Sequence, residues 1–411
     1  MAPAPDTITA AASARHRHGG QSSRACQPIA RALSVLRLSA LLFAGLGSLA
    51  ACSQRNELLT LHGSTMGTTW SVQLPHTHSR RVPALHQDIS QLLAGLEAQL
   101  SHWQPDSDLS RFNQAPPGTL QVLPDDLATV IAAALDLARD SQGAFDPALG
   151  ALVNLWGFGP AGPRDSPPSL KEMAAAQADS GWQRLRYEPG TQRLFQPGGV
   201  LLDLSAIAKG HAVDRVAQLL DDRGVRDYLV EIGGELRASG LGPQGRPWRV
   251  AIRAPLPGQE PVAVVELAGG NADTSGPLAV ATSGSYHSAF EHAGRQYSHS
   301  LDPRTGAPVA GGVLSVTVLA DSAMQADALA TAITVIGPEQ GIAFADQRGL
   351  AVLMLVADEG NAGSGAGPEP RSDAEHGADT GTGAGGQTGS SSKDQPTIGW
   401  RVLPSAAWPA L

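Results

Sequence analysis

The segment from Asp203 to Gly210 combines groups that could bind a phosphate. It joins the apolar run Gly199 to Leu204, which favours a strand, to a helical pattern that ends near Gly224. Unpaired N–H groups and the helix dipole make a helix N-terminus an anion site, and Lys209 adds a positive charge there. The same residues also fit an ordinary strand-to-helix turn with a solvated lysine. The segment alone leaves both interpretations open.

Asp327 and Thr331 form a second candidate, in an apolar stretch that ends at Gly337-Pro338. The Gly-Pro pair predicts the end of a helix. Residues four apart lie on one face of a helix, so the carboxylate and the hydroxyl would be neighbours. Such a pair suits Mg²⁺, a hard cation that takes few protein oxygens and completes its coordination with water and phosphate. The alternative is a solvated aspartate and a threonine bonded back to the helix.

Three further segments carry groups that could take part in chemistry. His299, in a turn-rich segment, could act as a general base near neutral pH, although one histidine among 12 is more often structural. The loop Ala281 to Tyr286 offers hydroxyl groups and a glycine, as phosphate or ribose binding requires. Ala144 to Pro147 precede the aromatic segment Leu155 to Gly159, which could flank a flat ring or belong to the core.

Strands and helices that would position these groups alternate irregularly. Apolar residues at helical spacing predict an amphipathic helix over Pro83 to His102, and another helix is predicted over Asp125 to Ser141. Because no Gly-x-Gly-x-x-Gly follows the first strand, we predict an α+β fold with largely antiparallel strands and no Rossmann domain. The predicted strands are Leu58 to His62, Thr68 to Leu74, Tyr228 to Ile232, Glu235 to Ser239, Trp248 to Ala254 and Val262 to Leu267, with a hairpin at Gly233-Gly234.

Composition limits the class of protein and of partner. The chain of 411 residues is 42% hydrophobic, enough to bury one large core or two smaller ones. Its net charge is −9, and no run of lysine or arginine alternates with aromatic residues. We therefore expect no nucleic-acid partner.

The N-terminal region is similar to the leader of a bacterial lipoprotein. Arginines precede a short apolar run, Leu38 to Leu49, that is too short for a permanent membrane span. Leu49-Ala-Ala-Cys52 follows, so we predict a signal peptide over 1–51 and lipidation of Cys52, with an ordinary cleavage site beside an incidental cysteine as the alternative. The expected product is a protein of the bacterial cell envelope, attached to a membrane by its lipid and facing the periplasm.

The range 358–396 consists mainly of small and polar residues, with almost no aliphatic or aromatic side chains. Such a stretch cannot bury enough surface to offset its ordering entropy, so we predict a disordered insertion. Strand-like runs border it on both sides, Leu350 to Ala357 and Thr397 to Leu403. We therefore expect one catalytic domain, 52–357, completed by 397–411.

Eight sequence blocks together resemble the FAD:protein FMN transferase family, often called ApbE. They occur in the family's order and cover nearly the whole predicted mature chain, which is far more specific than any single block. The blocks are Met66 to Trp70, Asp108 to Asn113, Phe145 to Pro147, Asp203 to Gly210, Val230 to Glu235, Ala281 to Tyr286, Ser298 to Gly306 and Ala326 to Thr331.

The resemblance implies an enzyme that binds FAD in a cleft of a mixed α/β unit. Members of the family transfer FMN from FAD to a Thr or Ser of a target flavoprotein, release AMP and require Mg²⁺. Targets are subunits of membrane redox complexes or exported flavoproteins. By position, the resemblance implies FAD binding by Met66, Trp103, Ala144, Phe145, Asp146, Asp203, Lys209 and Leu301, metal binding by the Ala206 carbonyl, Asp327 and Thr331, and catalysis by His299.

Two other activities remain open from the sequence. The chain could hydrolyse FAD to FMN and AMP, or it could hold FAD in the periplasm without catalysis. Trp70 lies at a position that bears on the choice between transfer and hydrolysis. His211 differs from the tyrosine that many relatives resembling this chain carry after the glycine.

Overall fold

The computed structural model describes residues 58–75, 78, 82–255, 258–267, 278–284, 289–293, 295–309, 312–358 and 399–409. The helices in these ranges are α1 (Val82–Leu100), α2 (Asp108–Gln114), α3 (Asp125–Asp140), α4 (Gly150–Leu155), α5 (Leu170–Ala178), α6 (Ala208–Asp222), α7 (Ala323–Ile336) and α8 (Pro338–Arg348). The strands are β1 (Leu58–Thr65), β2 (Thr68–Pro75), β3 (Leu120–Val122), β4 (Arg186–Glu188), β5 (Arg193–Phe195), β6 (Tyr228–Ile232), β7 (Glu235–Ser239), β8 (Trp248–Ile252), β9 (Ala263–Leu267), β10 (Ala279–Gly284), β11 (Ala289–His292), β12 (Arg295–Ser298), β13 (Leu301–Asp302), β14 (Ala307–Pro308), β15 (Val313–Ala320), β16 (Ala351–Ala357) and β17 (Trp400–Pro404).

Eight of these strands form one sheet in the order β1-β2-β6-β7-β10-β15-β16-β17. Every neighbouring pair in it is antiparallel. The predicted α+β class with largely antiparallel strands is therefore confirmed. A second sheet, β3-β5-β4, and the hairpins β8-β9, β11-β12 and β13-β14 lie outside it.

Alternation along the central strands sends apolar side chains to two faces of the sheet. On one face, Val230 and Ile232 belong to the core that includes α1, α3 and α6, and Val318 belongs to the core under α7 and α8. On the other face, Leu229 and Leu319 pack with the β8-β9 hairpin and Trp408. The helices that carry the candidate site thus all cover one face.

Most predicted elements are present with small shifts of their ends. The hairpin over Tyr228–Ile232 and Glu235–Ser239 is confirmed, and so are α1 and α3. The turn between β1 and β2 is shorter than the gap between the predicted strands Leu58 to His62 and Thr68 to Leu74. Met66 and Gly67 alone form it, with φ angles of 49° and 73°. Positive φ at both central residues is typical of a two-residue hairpin turn.

The predicted strand over Gly199 to Leu204 is wrong. Its backbone bonds to side chains and loops instead of to a neighbouring strand. Asn113 of α2 accepts from Leu202 N at 2.7 Å and donates to Leu202 O at 2.9 Å, and Gly150 N donates to Leu201 O at 2.9 Å. Val200, Leu202 and Leu204 of this run are buried in the main core. The predicted phosphate-binding junction is therefore an extended segment, bonded to α2 and α4, that leads into α6.

Helices α6 and α7 supply acceptors for each other's first N–H groups. Asp214 of α6 accepts from Ala323 N at 3.0 Å and from Met324 N at 2.9 Å. Asp327 of α7 in turn accepts from Gly210 N at 3.0 Å. The first N–H groups of a helix have no acceptor within the helix, and the dipole favours a negative charge there. The exchange therefore satisfies both helix starts and fixes the two helices to each other.

Two sequence predictions and part of a third fall outside the described residues: Ser285 and Tyr286 of the predicted loop are not described, and Ala281 to Gly284 of that loop instead form the end of β10. Cys52 and the leader precede residue 58, and 359–398 covers nearly all of the predicted insertion. The strands that border this range, β16 and β17, pair with each other from Ala357↔Trp400 to Leu353↔Pro404. Among the described residues, no helix is both long and apolar enough to cross a membrane.

The close approach of α6 and α7 predicts that Gly210 tolerates no side chain. A Cβ there would lie 2.3 Å from the Ala323 carbonyl oxygen. We expect Gly210→Ala to lower the free energy of unfolding by about 1–3 kcal/mol, the usual cost of overpacking. Equilibrium unfolding in urea measures this difference in the free energy of unfolding.

Gly95→Ala is the matched control for this substitution. Gly95 is also helical, within α1, but open space surrounds the position of its missing Cβ. Alanine there should raise stability by up to about 1 kcal/mol because it is the better helix former. Equal changes in the two variants would contradict the close contact at Gly210.

Candidate active site

Two buried carboxylates share one lysine where α6 begins. Lys209 Nζ lies 3.2 Å from Glu235 Oε1 and 3.9 Å from Asp327 Oδ2. Glu235 is 4% exposed and Asp327 5%. Lys209 Nζ also donates to Ser205 O at 3.3 Å. One ammonium thus faces two carboxylates, and Glu235 Oε2 is buried with no hydrogen-bond partner among the described residues.

The electrostatics of this cluster disfavour two charged acids. Burial raises the pKa of Glu235 to about 8, and Asp327 adds to this while Lys209 opposes it. Burial likewise raises the pKa of Asp327, against the opposing effects of Lys209 and the Gly210 amide. Burial would lower the pKa of Lys209, but the two carboxylates outweigh it and raise that pKa, so the ammonium stays charged. The cluster is short of positive charge.

Three possible oxygen ligands belong to the start of α6 and to the part of α7 bonded to it. Gly210 N donates to Asp327 Oδ2, which leaves the Ala206 carbonyl, its acceptor in a regular helix, available to another partner. Thr331 is half-buried one turn after Asp327 on the same face of α7. A carboxylate, a carbonyl and a hydroxyl are the hard ligands that Mg²⁺ takes, so these residues fit that ion. The described residues contain no group of three or more His, Cys, Asp or Glu suited to a metal.

Asp203 links this cluster to the segment before it. Its Oδ1 accepts from Ser205 N at 2.8 Å and also from the Ser205 hydroxyl. Its backbone N donates to Pro147 O at 2.9 Å, next to Asp146. Asp203 therefore bonds to the start of α6 through its carboxylate and to the segment after Asp146 through its backbone.

Within the segment Ala144 to Asp146, Ala144 and Phe145 are buried, and Phe145 packs in the main core. Asp146 accepts from Ala148 N at 2.8 Å and from Trp182 N at 3.1 Å. Burial raises the pKa of Asp146 to about 6, against the lowering effect of these two hydrogen bonds. The Asp146 carboxylate therefore connects its own segment to Trp182 through backbone N–H groups.

Met66 and Trp103 are connected through Glu97 of α1. The Glu97 carboxylate accepts from Met66 N and from Thr65 Oγ1, the latter at 2.8 Å. Its other oxygen accepts from Gln104 Nε2 at 2.9 Å, beside Trp103, which is 60% exposed. Glu97 thus connects the first turn to the segment that carries Trp103.

His299 and Leu301 belong to a neighbouring cluster around α4. Leu301 is buried with Leu152 and Trp156, and the His299 ring stands edge-on to Phe158 with centroids 6.4 Å apart. Other residues of α4, including Val153, line a cavity with Asp203. Helix α4 therefore stands between these two residues and Asp203, and the role of His299 as the base stays a prediction.

His211, the departure from the family pattern, connects helices instead of facing the cluster. Its Nε2 lies 2.9 Å from Asp126 Oδ1, and Arg215 Nε lies 3.1 Å from the same oxygen. Burial lowers the pKa of His211, against the raising effect of Asp126. The side chain therefore holds α6 to the start of α3.

Sequence reasoning missed Glu235, Glu97 and His102 as parts of the site. Glu235 carried a signal, because an acid directly after Gly233-Gly234 opens a strand within one of the eight blocks. Glu97 and His102 carried none, since both lie within or at the end of an ordinary amphipathic helix. Only the fold brings them to Met66 and Asp203.

The charge balance predicts that Glu235 supports cation binding. A divalent cation at the site would favour the charged form of Glu235, whose carboxylate would then balance Lys209. Glu235→Gln cannot take up that charge, so the Lys209 ammonium would stay with Asp327 and compete there with the metal ion. We expect the affinity for Mn²⁺, a probe for Mg²⁺, to fall by about tenfold in a titration followed by electron paramagnetic resonance. Glu231→Gln is the control, because Glu231 lies on the same hairpin and accepts from Gly234 N at 2.9 Å. Equal affinities in the two variants, or no Mn²⁺ binding by the unmodified protein, would contradict the cation site.

Several known proteins are similar to this chain. The model of the ApbE family matches residues 66–354. An FAD:protein FMN transferase of Vibrio cholerae serotype O1 is 41% identical over 317 residues, which cover 76% of this chain and 92% of that protein. One from Haemophilus influenzae is 36% identical over 315 residues, covering 75% and 89%. The solved flavin transferase ApbE from Vibrio cholerae superposes with a TM-score of 0.69 at 34% identity, covering 86% of this chain and 98% of that one.

Proposed function

The chain belongs to the ApbE family and is a transferase enzyme, and we propose that it transfers FMN from FAD to a Thr or Ser hydroxyl of a target flavoprotein, with Mg²⁺ and with release of AMP. Relatives that carry the name FAD:protein FMN transferase support the transfer itself. The metal is inferred from the residues of the site, whereas AMP as the leaving group and a Thr or Ser as the acceptor are inferred from the family resemblance.

The single observation that carries the proposal is the buried charge cluster. Among the described residues, Lys209 is the one cation paired with both Asp327 and Glu235, and the pKa values of both acids are raised. A divalent cation held by Asp327, Thr331 and the Ala206 carbonyl would supply the missing positive charge. When bound, Mg²⁺ would offset the negative charge of the FAD pyrophosphate and of the AMP that leaves.

The chain's own residues account for binding and orientation. The Lys209 ammonium would pair with pyrophosphate oxygens, because its raised pKa keeps it charged throughout the physiological range. Met66, Trp103, Ala144 to Asp146, Asp203 and Leu301 would hold FAD. Fixing both reactants in place converts a reaction between two molecules into one within a complex, which removes much of the barrier.

The transfer itself is a displacement at phosphorus. The acceptor oxygen forms a bond to the phosphorus of the FMN half, while the bond from that phosphorus to the bridging oxygen breaks. The bridging oxygen leaves with AMP, and the proton of the acceptor hydroxyl passes to a base, for which His299 is the candidate. Charge spreads over the phosphate oxygens in the process, so electrostatic stabilisation dominates.

We further propose that the enzyme works at the outer side of a membrane. Lipidation of Cys52 would anchor it in the cell envelope, facing the periplasm, where subunits of membrane redox complexes or exported flavoproteins would be its targets. The support is the leader and the Leu49-Ala-Ala-Cys52 sequence.

A flavinylation assay tests the proposed reaction. The protein is incubated with FAD, Mg²⁺ and an acceptor domain, and a fluorescent flavin band that survives denaturation is expected together with AMP in equal amount. Omission of Mg²⁺ should abolish both products. FMN and AMP formed without any labelled acceptor would show a hydrolase, and FAD binding without either product would show a carrier; both results would contradict the proposed transfer.

Asp327→Asn tests, in the same assay, whether the proposed metal site is needed for transfer. We expect it to lower the labelling rate by at least about 100-fold, because it removes the one carboxylate among the proposed ligands. Asp321→Asn is the matched control, since Asp321 is an exposed residue just before the same helix. Equal labelling rates in the two variants would contradict the metal assignment.

A further inference from the structure

His102 lies between two residues that the proposed function assigns to FAD. It lies two residues after Leu100, the last residue of α1, and its Nδ1 lies 3.7 Å from Asp203 Oδ1. At this distance the two side chains are in contact, but the separation is too long for a hydrogen bond. Its ring also contacts the Trp103 indole, with centroids 5.4 Å apart and planes tilted by 41°. One imidazole thus contacts both the half-buried Asp203 carboxylate and the exposed Trp103 ring.

The surroundings of the imidazole are costly for a polar ring. The side chain is 10% exposed, and Nε2 is buried with no hydrogen-bond partner among the described residues. A buried polar atom without a partner lowers stability. The polar contact that the ring does make is with Asp203, so packing alone would favour a phenyl ring at this position.

A cavity adjoins this contact. Its volume is about 160 Å³, and His102 and Asp203 line it together with polar side chains of α2 and α4, among them Asn113 and Asn154. Both amides are already engaged, Asn113 with Leu202 and Asn154 with Ala161 N at 3.2 Å. The orientation of Asp203 beside the cavity therefore depends on Ser205 on one side and on His102 on the other.

We propose that His102 is a positioning residue for FAD, which holds the Asp203 carboxylate and the Trp103 ring in the orientation that binds the dinucleotide. The inference rests on the proposed function, because that function assigns Asp203 and Trp103 to FAD. It adds a residue that the family resemblance did not imply. The buried, unpaired Nε2 of His102 then lowers the stability of the protein, while the residue supports FAD binding.

Two substitutions separate positioning from packing. His102→Phe keeps a ring against Trp103 but removes the contact with Asp203. We expect its dissociation constant for FAD, measured by the change in flavin fluorescence, to rise about three- to tenfold, while its melting temperature stays the same or rises. His102→Ala loses the ring as well, so both FAD affinity and melting temperature should fall. His62→Phe, at an exposed histidine of β1, is the matched control and should change neither.

A double-mutant cycle tests whether the effect passes through Asp203. In an Asp203→Asn background, His102→Phe should weaken FAD binding by less than twofold, because the charged partner is gone. A full, independent effect in that background would overturn the role through Asp203. Unchanged FAD affinity in His102→Phe, or a loss of affinity that only parallels a lower melting temperature, would overturn the positioning role.

Because these experiments measure the dissociation constant for FAD, their result does not depend on whether the protein transfers FMN. If the unmodified protein binds FAD but labels no acceptor, the proposed function fails while the affinity ratios still decide the role of His102. If the unmodified protein does not bind FAD at all, both proposals are overturned.

Discussion

The exchange of carboxylates between α6 and α7 is the contact on which the rest of the site depends. Asp214 satisfies the first N–H groups of α7, and Asp327 satisfies Gly210 N in the first turn of α6. Because the backbones approach so closely at Gly210, Asp327 is held at the start of α6 and not merely near it. That placement brings Asp327 to Lys209 and allows the Ala206 carbonyl to face another partner.

The same placement creates an electrostatic imbalance that a stable fold alone would not require. Asp327 and Glu235 are both buried, and Lys209 is their shared cation. Removing acids from water is costly, which raises the pKa of each. Hydrogen bonds and a lysine reduce this cost without cancelling it. A protein that must bind a cation and a pyrophosphate gains from a site that is only fully balanced when its ligands are present.

The sequence predicted local elements well because local patterns determine them. Helical spacing of apolar residues predicts α1, and the Gly233-Gly234 pair predicts the β6-β7 hairpin. The run Gly199 to Leu204 was misassigned because burial between helices and burial in a sheet produce the same apolar pattern. Asp327 was predictable from its helix, whereas its bond to Gly210 N spans 117 positions and leaves no local trace.

The central claim is that Asp327, Thr331 and the Ala206 carbonyl form one cation site beside Lys209. A crystal structure of the protein soaked with Mn²⁺ and FAD, with data collected for the anomalous signal of manganese, tests this most directly. We predict an anomalous peak within coordination distance of all three oxygens and of an FAD phosphate oxygen. A peak elsewhere, or Lys209 Nζ bound to Asp327 with no peak while FAD is bound, would contradict the account.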